Sequence, residues 1–158
     1  MGQIANGKTA GYWQNFLSTL PTDSPYHTKT YSEGGYGDSP ELMDELIQLV
    51  LIGKKTATCG SLWEWEAESK PLPKTGDIWV ELDGKGNPVC ITETVEVTIR
   101  EYNEVDAQFA HDEGEGDQSL NYWREAHKNY FSRVLSKTGK EFSEEMPLVC
   151  ERFRLIYK

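Results

Sequence analysis

The segment VLIGKKTATCG, residues 50–60, contains two adjacent lysines and, three positions after the second, a threonine, a combination found in nucleophilic catalysis. A threonine hydroxyl becomes an effective nucleophile when a neighbouring base removes its proton. A lysine can be that base when burial or a positive neighbour favours its neutral form. Thr58 follows Lys55 by three positions, and Lys54 supplies the positive neighbour. The segment therefore offers a candidate base and nucleophile.

A simpler interpretation of the same segment is a helix end whose lysines offset the helix dipole, followed by β-prone threonines. Exposed lysines are common, so composition alone favours this interpretation. Residues three apart in a strand point to opposite faces. Lys55 and Thr58 can therefore meet only where the backbone turns or the lysine side chain curls round.

A second set of candidate residues lies in HDEGEGDQS, residues 111–119. Glu113, Glu115 and Asp117 occupy alternate positions separated by glycines, which would let several oxygens point at one cation. One carboxylate could instead serve general acid–base catalysis. The alternative is an acidic turn in which Asp117 or Ser119 caps the next helix. Because the spacing matches no closed metal site, a metal is the weaker interpretation.

A third feature is the segment YWREAHKNYF, residues 122–131. Arg124, His127 and Lys128 form a basic edge that could meet a phosphate, while aromatic residues such as Trp123 could stack a base. The same spacing also fits core packing with cations whose stems cover apolar surface. On that interpretation His127 is a hydrogen-bonded core histidine.

The charge balance of the 158-residue chain limits its partners. The formal net charge is −10, and the segment from residue 100 to residue 125 contains eight carboxylates but only two arginines. Because binding to duplex nucleic acid depends on neutralising many phosphates, the sequence disfavours duplex DNA or RNA. A small neutral ligand or a short single strand held in a local groove remains open.

Composition also restricts the location and the redox chemistry that we expect. No apolar run approaches the roughly 20 residues of a membrane span, so we expect a cytoplasmic protein with no membrane partner. The three cysteines are isolated, which argues against a disulfide framework or a thiolate metal site. We interpret them as buried, inert thiols.

The periodicity of the chain predicts one α+β domain. Residues 40–52 predict an amphipathic helix with Ser39 as N-cap and Gly53 as a left-handed C-cap. Shorter helices are expected around residues 12–20, 61–70 and 120–134. Residues 78–82 and 89–99 alternate and predict a β-hairpin with one buried face, to which residues 148–157 add a strand. Helices between few long strands indicate a mostly antiparallel sheet or a partly open barrel.

The segments GKKTAT, EGEGDQSLNYW and CERF, in this order, resemble the ASCH domain family, within it a bacterial branch that has a long N-terminal extension. The resemblance runs from about Gly37 to the C-terminus. It divides the chain into an extension packed on the domain, residues 1–36, and an ASCH domain, residues 37–158. The ASCH fold is similar to the PUA domain, which implies a small, mostly antiparallel β-barrel with surrounding helices and a cleft at its mouth.

The resemblance implies a hydrolase that cleaves the amide of an acylated cytidine. By motif, Lys55 is the base, Thr58 the nucleophile, and Glu113 the residue that returns a proton to the leaving amine. Glu115 is a substitute for Glu113, because the added GEGD lengthens this motif. No cofactor is implied. The further candidate substrate-binding residues are Tyr36, Lys54, Glu115, Ser119, Trp123 and Arg124.

Two alternatives stay open. Other members of the long branch cut single-stranded RNA with a divalent metal, which implies Lys55 and Ser119 here, with the metal held by some of Glu113, Glu115 and Asp117. The last alternative is a non-catalytic RNA-binding module. The expected partner is accordingly a small nucleoside or a short single-stranded RNA, and the oligomeric state is left open.

Overall fold

The computed structural model describes residues 7–158, so the first six residues of the predicted extension lie outside the described residues. Within this part of the chain no helix combines the length and apolarity needed to cross a bilayer. The predicted helices and strands are all present. In chain order the elements are α1 (Gly7–Ser18), β1 (Ser32–Gly34), α2 (Pro40–Leu51), β2 (Ala57–Ser61), α3 (Leu62–Ala67), β3 (Ile78–Leu82), β4 (Pro88–Glu101), α4 (Ala107–Glu113), α5 (Leu120–Val134) and β5 (Pro147–Tyr157).

The five strands form one mixed sheet in the order β1-β3-β4-β5-β2. β1 runs parallel to β3, and the other neighbouring pairs are antiparallel. The α+β class is therefore confirmed, but the predicted barrel is wrong. Within residues 7–158 no ladder joins the edge strands β1 and β2, which are only 3 and 5 residues long, so the sheet stays open.

The predicted buried face of the long strand β4 holds only for its first half. Ile91 is fully buried, whereas Val95 is 44% and Ile99 50% exposed. The register with β5 shifts between Thr94 and Glu96. A bulge inserts one residue and moves the following side chains to the opposite face of the sheet. A strictly alternating pattern does not reveal this shift.

Helices cover both faces of the sheet and leave a cleft between them. α1 packs on one face through Trp13 and Phe16, against Ile78, Val80 and Ile91. α2 packs near Cys90 and Phe153, and α4 with α5 packs near Leu148 and Cys150. The cluster under α2 also contains Tyr36, Leu46, Ile47 and Val50. The cluster under α4 and α5 also contains Phe109, Trp123, Phe131 and Leu135.

The end of α2 confirms the predicted caps and shows how the chain turns. The Ser39 hydroxyl accepts from the Leu42 amide, and Gly53 has φ +80°. The amides of Lys54 and Lys55 both donate to the carbonyl oxygen of Leu49, at 2.9 and 3.0 Å. Because β2 begins only at Ala57, Lys55 lies in a turn, and the alternation of a strand does not govern its direction.

The end of α4 packs directly on this turn, and a glycine makes the contact possible. Gly114 follows α4 with φ +75°, a conformation that costs other residues about 1–2 kcal/mol. A Cβ atom at this position would lie 2.5 Å from the carbonyl oxygen of Lys54 and 2.9 Å from the amide nitrogen of Lys55. Both neighbours are backbone atoms that cannot move aside like a flexible side chain.

We therefore expect Gly114→Ala to lower the free energy of unfolding by about 1–3 kcal/mol more than Gly139→Ala does. Gly139 has a similar φ of +72°, but a Cβ atom there would have no other atom within 4 Å, so it is a matched control for backbone strain alone. Urea unfolding of both variants measures the difference. Equal losses would contradict the packing role of Gly114.

Candidate active site

A cavity of about 280 Å³ lies where the turn after α2, strand β2 and helices α4 and α5 meet. Five of the residues predicted from the sequence line it, which brings side chains from three separate segments into one place. They are Tyr36, Lys55, Thr58, Glu113 and Glu115.

Glu113, the last residue of α4, is the centre of the site and is only 1% exposed. Its Oε2 accepts a hydrogen bond from Trp123 Nε1 at 2.5 Å and lies 2.8 Å from His127 Nε2. Its Oε1 lies 4.0 Å from Lys55 Nζ, which also donates to the Glu113 backbone carbonyl at 3.3 Å. One buried carboxylate thus contacts three donors.

These contacts keep Glu113 ionised. Burial by itself would raise the pKa of Glu113. The charges of His127 and Lys55, with the hydrogen bonds from His127 and Trp123, outweigh burial and lower the pKa from 4.5 to about 2. At neutral pH Glu113 is therefore an anion that holds its donors in place, and it carries no proton to give away.

His127 is the second cation of the site. Its Nδ1 lies 2.9 Å from the Trp123 carbonyl oxygen, which can only accept, so Nδ1 carries a proton. Its Nε2 faces the ionised Glu113 and carries a proton as well. Burial lowers the pKa of His127, but Glu113 more than compensates, and the net shift is upward from 6.5. The imidazolium stacks on Trp123 at 4.2 Å between ring centroids.

Glu115 differs from Glu113 although only one residue separates them. Lys55 Nζ lies 3.9 Å from Glu115 Oε2. Burial and the nearby Glu113 charge raise the pKa of Glu115 above 4.5, against the opposing effect of Lys55. Its side chain is 22% exposed, whereas that of Lys55 is 2% exposed. Of these two carboxyl groups, Glu115 is the one whose pKa is raised and whose side chain is partly exposed at the cavity.

Tyr36 and Thr58 connect this cavity to a second one of about 230 Å³. The buried Tyr36 hydroxyl donates to Glu81 Oε1 at 3.0 Å, and Lys55 Nζ lies 5.7 Å from the centre of its ring. Thr58 lies opposite Glu151 on the neighbouring strand. The two cavities form one cleft with two compartments.

The remaining predicted residues have other positions. Lys54 is exposed, and Ser119 caps α5 by accepting from the Tyr122 amide at 3.1 Å. Asp117 is exposed and accepts from the Ser119 amide at 2.9 Å. The backbone carbonyl of Arg124 accepts from the Tyr102 hydroxyl. Trp123 is buried behind Glu113, so it positions the carboxylate and does not line the cavity.

The sequence assigns no catalytic role to His127 or Cys59, although both line the cavity. The helical pattern predicts that His127 lies in the core. Its raised pKa depends instead on Glu113, which α4 places beside it. The spacing of Trp123 and His127 could have indicated the pair, since side chains four residues apart on a helix lie on the same face and can contact the same group. Cys59 is expected to be inert, and burial does raise the pKa of its thiol well above 9.0.

Among the described residues, Cys59, Glu113 and His127 have ligand atoms within 4.8 Å of one another. A metal at this point would have to remove a proton from the Cys59 thiol and one from the His127 imidazolium. It would also have to displace the positive charge of Lys55. Of the predicted ligands, Glu113 and Glu115 both lie beside Lys55, whereas Asp117 is exposed and accepts from the Ser119 amide. The donor set suits the protein's own cations better than a metal.

Comparison with known proteins agrees with this architecture. A family model described as an ASCH domain matches residues 33–157. The crystal structure of an ASCH domain from Lactobacillus crispatus JV V101 is 31% identical, with a TM-score of 0.91, and the match covers 99% of this chain and 98% of that one. A structure of a protein from Enterococcus faecalis V583 is 35% identical, with a TM-score of 0.83, over 95% of this chain and 88% of that one.

The crystal structure of a hypothetical protein is 15% identical, with a TM-score of 0.52, and the match covers 78% of this chain and 97% of that one. At this identity the likeness is one of fold alone. No curated protein matches the chain.

The pKa shifts of Glu113 and His127 predict how Glu113→Gln changes stability with pH. The lowered pKa of Glu113 means that its contribution is complete above 4.5 and is lost as the pH falls towards about 2. The raised pKa of His127 means that its contribution is complete below 6.5 and is lost as the pH rises through the folded-state value. Glu113→Gln also leaves His127 without its anion and Lys55 with Glu115 alone.

We expect Glu113→Gln to lower the free energy of unfolding by about 3–5 kcal/mol near pH 5–6, with a smaller loss at lower and higher pH. Urea unfolding at a series of pH values measures this, with Glu141→Gln as an exposed control. A loss that is the same at every pH would show that the ion pairs do not contribute as described.

Proposed function

This chain belongs to the ASCH domain family, and from that premise we propose that it is a hydrolase that cleaves the amide of an acylated, cytidine-type nucleoside. The observation that carries the proposal is a charged cluster at the wall of a cavity that Thr58 also lines, with Lys55 and Glu113 buried and His127 and Glu115 partly buried. Burying charges costs several kcal/mol per ion, so such a cluster beside a cavity points to chemistry.

In the proposed reaction the Thr58 hydroxyl oxygen attacks the amide carbonyl carbon, and its proton passes to the Glu115 carboxylate. The Lys55 ammonium stabilises the negative charge that develops on the carbonyl oxygen. Glu115 then returns the proton to the leaving nitrogen as the carbon–nitrogen bond breaks. Water hydrolyses the acyl ester on Thr58, which releases the carboxylic acid and restores the hydroxyl.

This assignment changes two roles that the family resemblance implied. Because the pKa of Glu113 is about 2, we assign the proton transfer to Glu115. Glu113 instead holds Lys55 and His127 in position. Lys55, held between two carboxylates, acts as the charged donor to the developing oxyanion and does not serve as the base.

The expected substrate is small and uncharged. A cavity of about 280 Å³ is near the lower end of the range for small-molecule sites, roughly 300–1,000 Å³. The net charge of −10 disfavours a ligand that carries many phosphates. A neutral nucleoside satisfies both conditions.

A non-catalytic RNA-binding role is the second candidate, because we infer for the ASCH fold a relationship to PUA domains, which bind RNA. The acidic surface counts against it. A metal-dependent ribonuclease is less well supported, since His127 and Lys55 already contact the buried Glu113 carboxylate and Asp117 lies outside the cavity.

We expect wild-type protein to deacetylate N4-acetylcytidine equally well with and without EDTA. Lys55→Ala, Thr58→Ala and Glu115→Gln should each lower kcat/KM by at least about 100-fold. Thr56→Ala and Lys85→Ala are matched controls from exposed positions and should leave turnover unchanged. Product is measured by chromatography, and a short single-stranded RNA is assayed in parallel.

Other results would select another function. Cleavage of the RNA alone, abolished by EDTA, would assign the carboxylates to a metal and remove Thr58 from the mechanism. Binding of RNA without turnover of either substrate, and with steep salt dependence, would support the binding module.

A further inference from the structure

The second compartment of the cleft, about 230 Å³ in volume, has a composition of its own. Its floor is one face of the sheet, where acidic, hydroxyl and aromatic side chains follow one another across β3, β4 and β5. These residues are Trp79, Glu81, Thr92, Thr94, Glu151 and Phe153.

Glu81 is a buried carboxyl group that has hydrogen bonds on one side only. It is 5% exposed, and both Tyr36 and Thr92 donate to its Oε1, at 3.0 and 2.8 Å. Within residues 7–158 no hydrogen bond reaches Oε2. Gly34 passes so close that a Cβ there would lie 2.9 Å from Oε2. The absence of a side chain at position 34 keeps this oxygen accessible from the compartment.

Glu151 adds a second carboxyl group, and within residues 7–158 neither Glu81 nor Glu151 has a positive partner. Glu151 accepts only a long hydrogen bond of 3.4 Å from Thr94, and burial raises the pKa of both Glu81 and Glu151 to about 7. No lysine, arginine or histidine of the described residues acts on either group. Glu113 in the first compartment, by contrast, is compensated by two cations.

Aromatic side chains complete the walls. Trp65, Trp79 and Phe153 line the compartment together with Tyr36. The indole Nε1 of Trp79 donates to the Thr94 hydroxyl at 3.2 Å, which fixes the ring orientation. Faces of aromatic rings attract cations and stack on planar ligands, and Trp does so most strongly. Uncompensated carboxyl groups between such rings form the arrangement that recognises an organic cation.

We propose that this compartment binds a planar organic cation, an aromatic ring bearing an amidinium or protonated amine. The positive nitrogens lie between Glu81 and Glu151, and the ring packs against Trp79. Of the proposed catalytic residues only Thr58 lines this compartment, and Lys55, Glu113 and Glu115 do not, so binding does not require the hydrolysis proposed above.

Benzamidine is a suitable probe, with neutral benzamide as its isostere. At about pH 8, above the pKa of both carboxyl groups, we expect benzamidine to bind with a Kd of about 1 mM or lower and benzamide at least about tenfold more weakly. Isothermal titration calorimetry gives the affinities. Benzamidine should also shift the indole NMR signals of Trp65 and Trp79.

Variants separate the specific site from a general attraction to an acidic protein. The double variant Glu81→Gln, Glu151→Gln should bind benzamidine at least about tenfold more weakly. Glu141→Gln, Glu145→Gln changes the net charge equally at exposed positions and should bind like the wild type. Gly34→Ala, which places a methyl group against Glu81 Oε2 without changing charge, should also weaken binding.

Equal affinity of the wild type for benzamidine and benzamide would overturn the proposal. So would unchanged benzamidine binding in the double variant, or the same loss in the double variant and the exposed control. If the double variant does not fold, the proposal is still tested by the preference of the wild type for benzamidine over benzamide and by the effect of Gly34→Ala on benzamidine binding. Loss of deacetylation in the variants of the first compartment leaves these results unaffected.

Discussion

The buried carboxylate of Glu113 is the constraint on which the rest of the site depends. An anion that is 1% exposed is tolerated only when donors and positive charges surround it, and here Trp123, His127 and Lys55 do so. These three side chains come from α5 and from the turn after α2. The same contacts that stabilise the charge therefore join α4, α5 and that turn into one rigid wall of the cleft.

Several local features follow from this constraint. α4 must end so that Glu113 points inward and its backbone packs on Lys54 and Lys55, and only a glycine at position 114 permits that approach. The i, i+4 spacing of Trp123 and His127 brings two donors to one oxygen. Glu115, two residues further on, lines the cavity, and burial together with the charge of Glu113 raises its pKa.

The two compartments of the cleft differ in how charge is balanced. Around Glu113 the protein supplies its own cations, so that group has no need of a ligand's charge. Around Glu81 and Glu151 it supplies hydroxyl groups and aromatic rings but no cation. Tyr36 and Thr58 line both compartments, so the two differently balanced regions share one wall.

By itself the sequence determined what depends on local contacts: the helix from Pro40 with its Ser39 cap, the left-handed Gly53 and the hairpin of β3 and β4. Residue types made Lys55, Thr58 and Glu113 candidates, but only the resemblance to a family combined them into one site. The open sheet and the bulge near Thr94 depend on pairing between distant strands, which periodicity does not encode. The charges of His127 and Glu115, and the compartment around Glu81, were decided by tertiary structure alone, because burial and the charge of neighbours distant in sequence set a pKa.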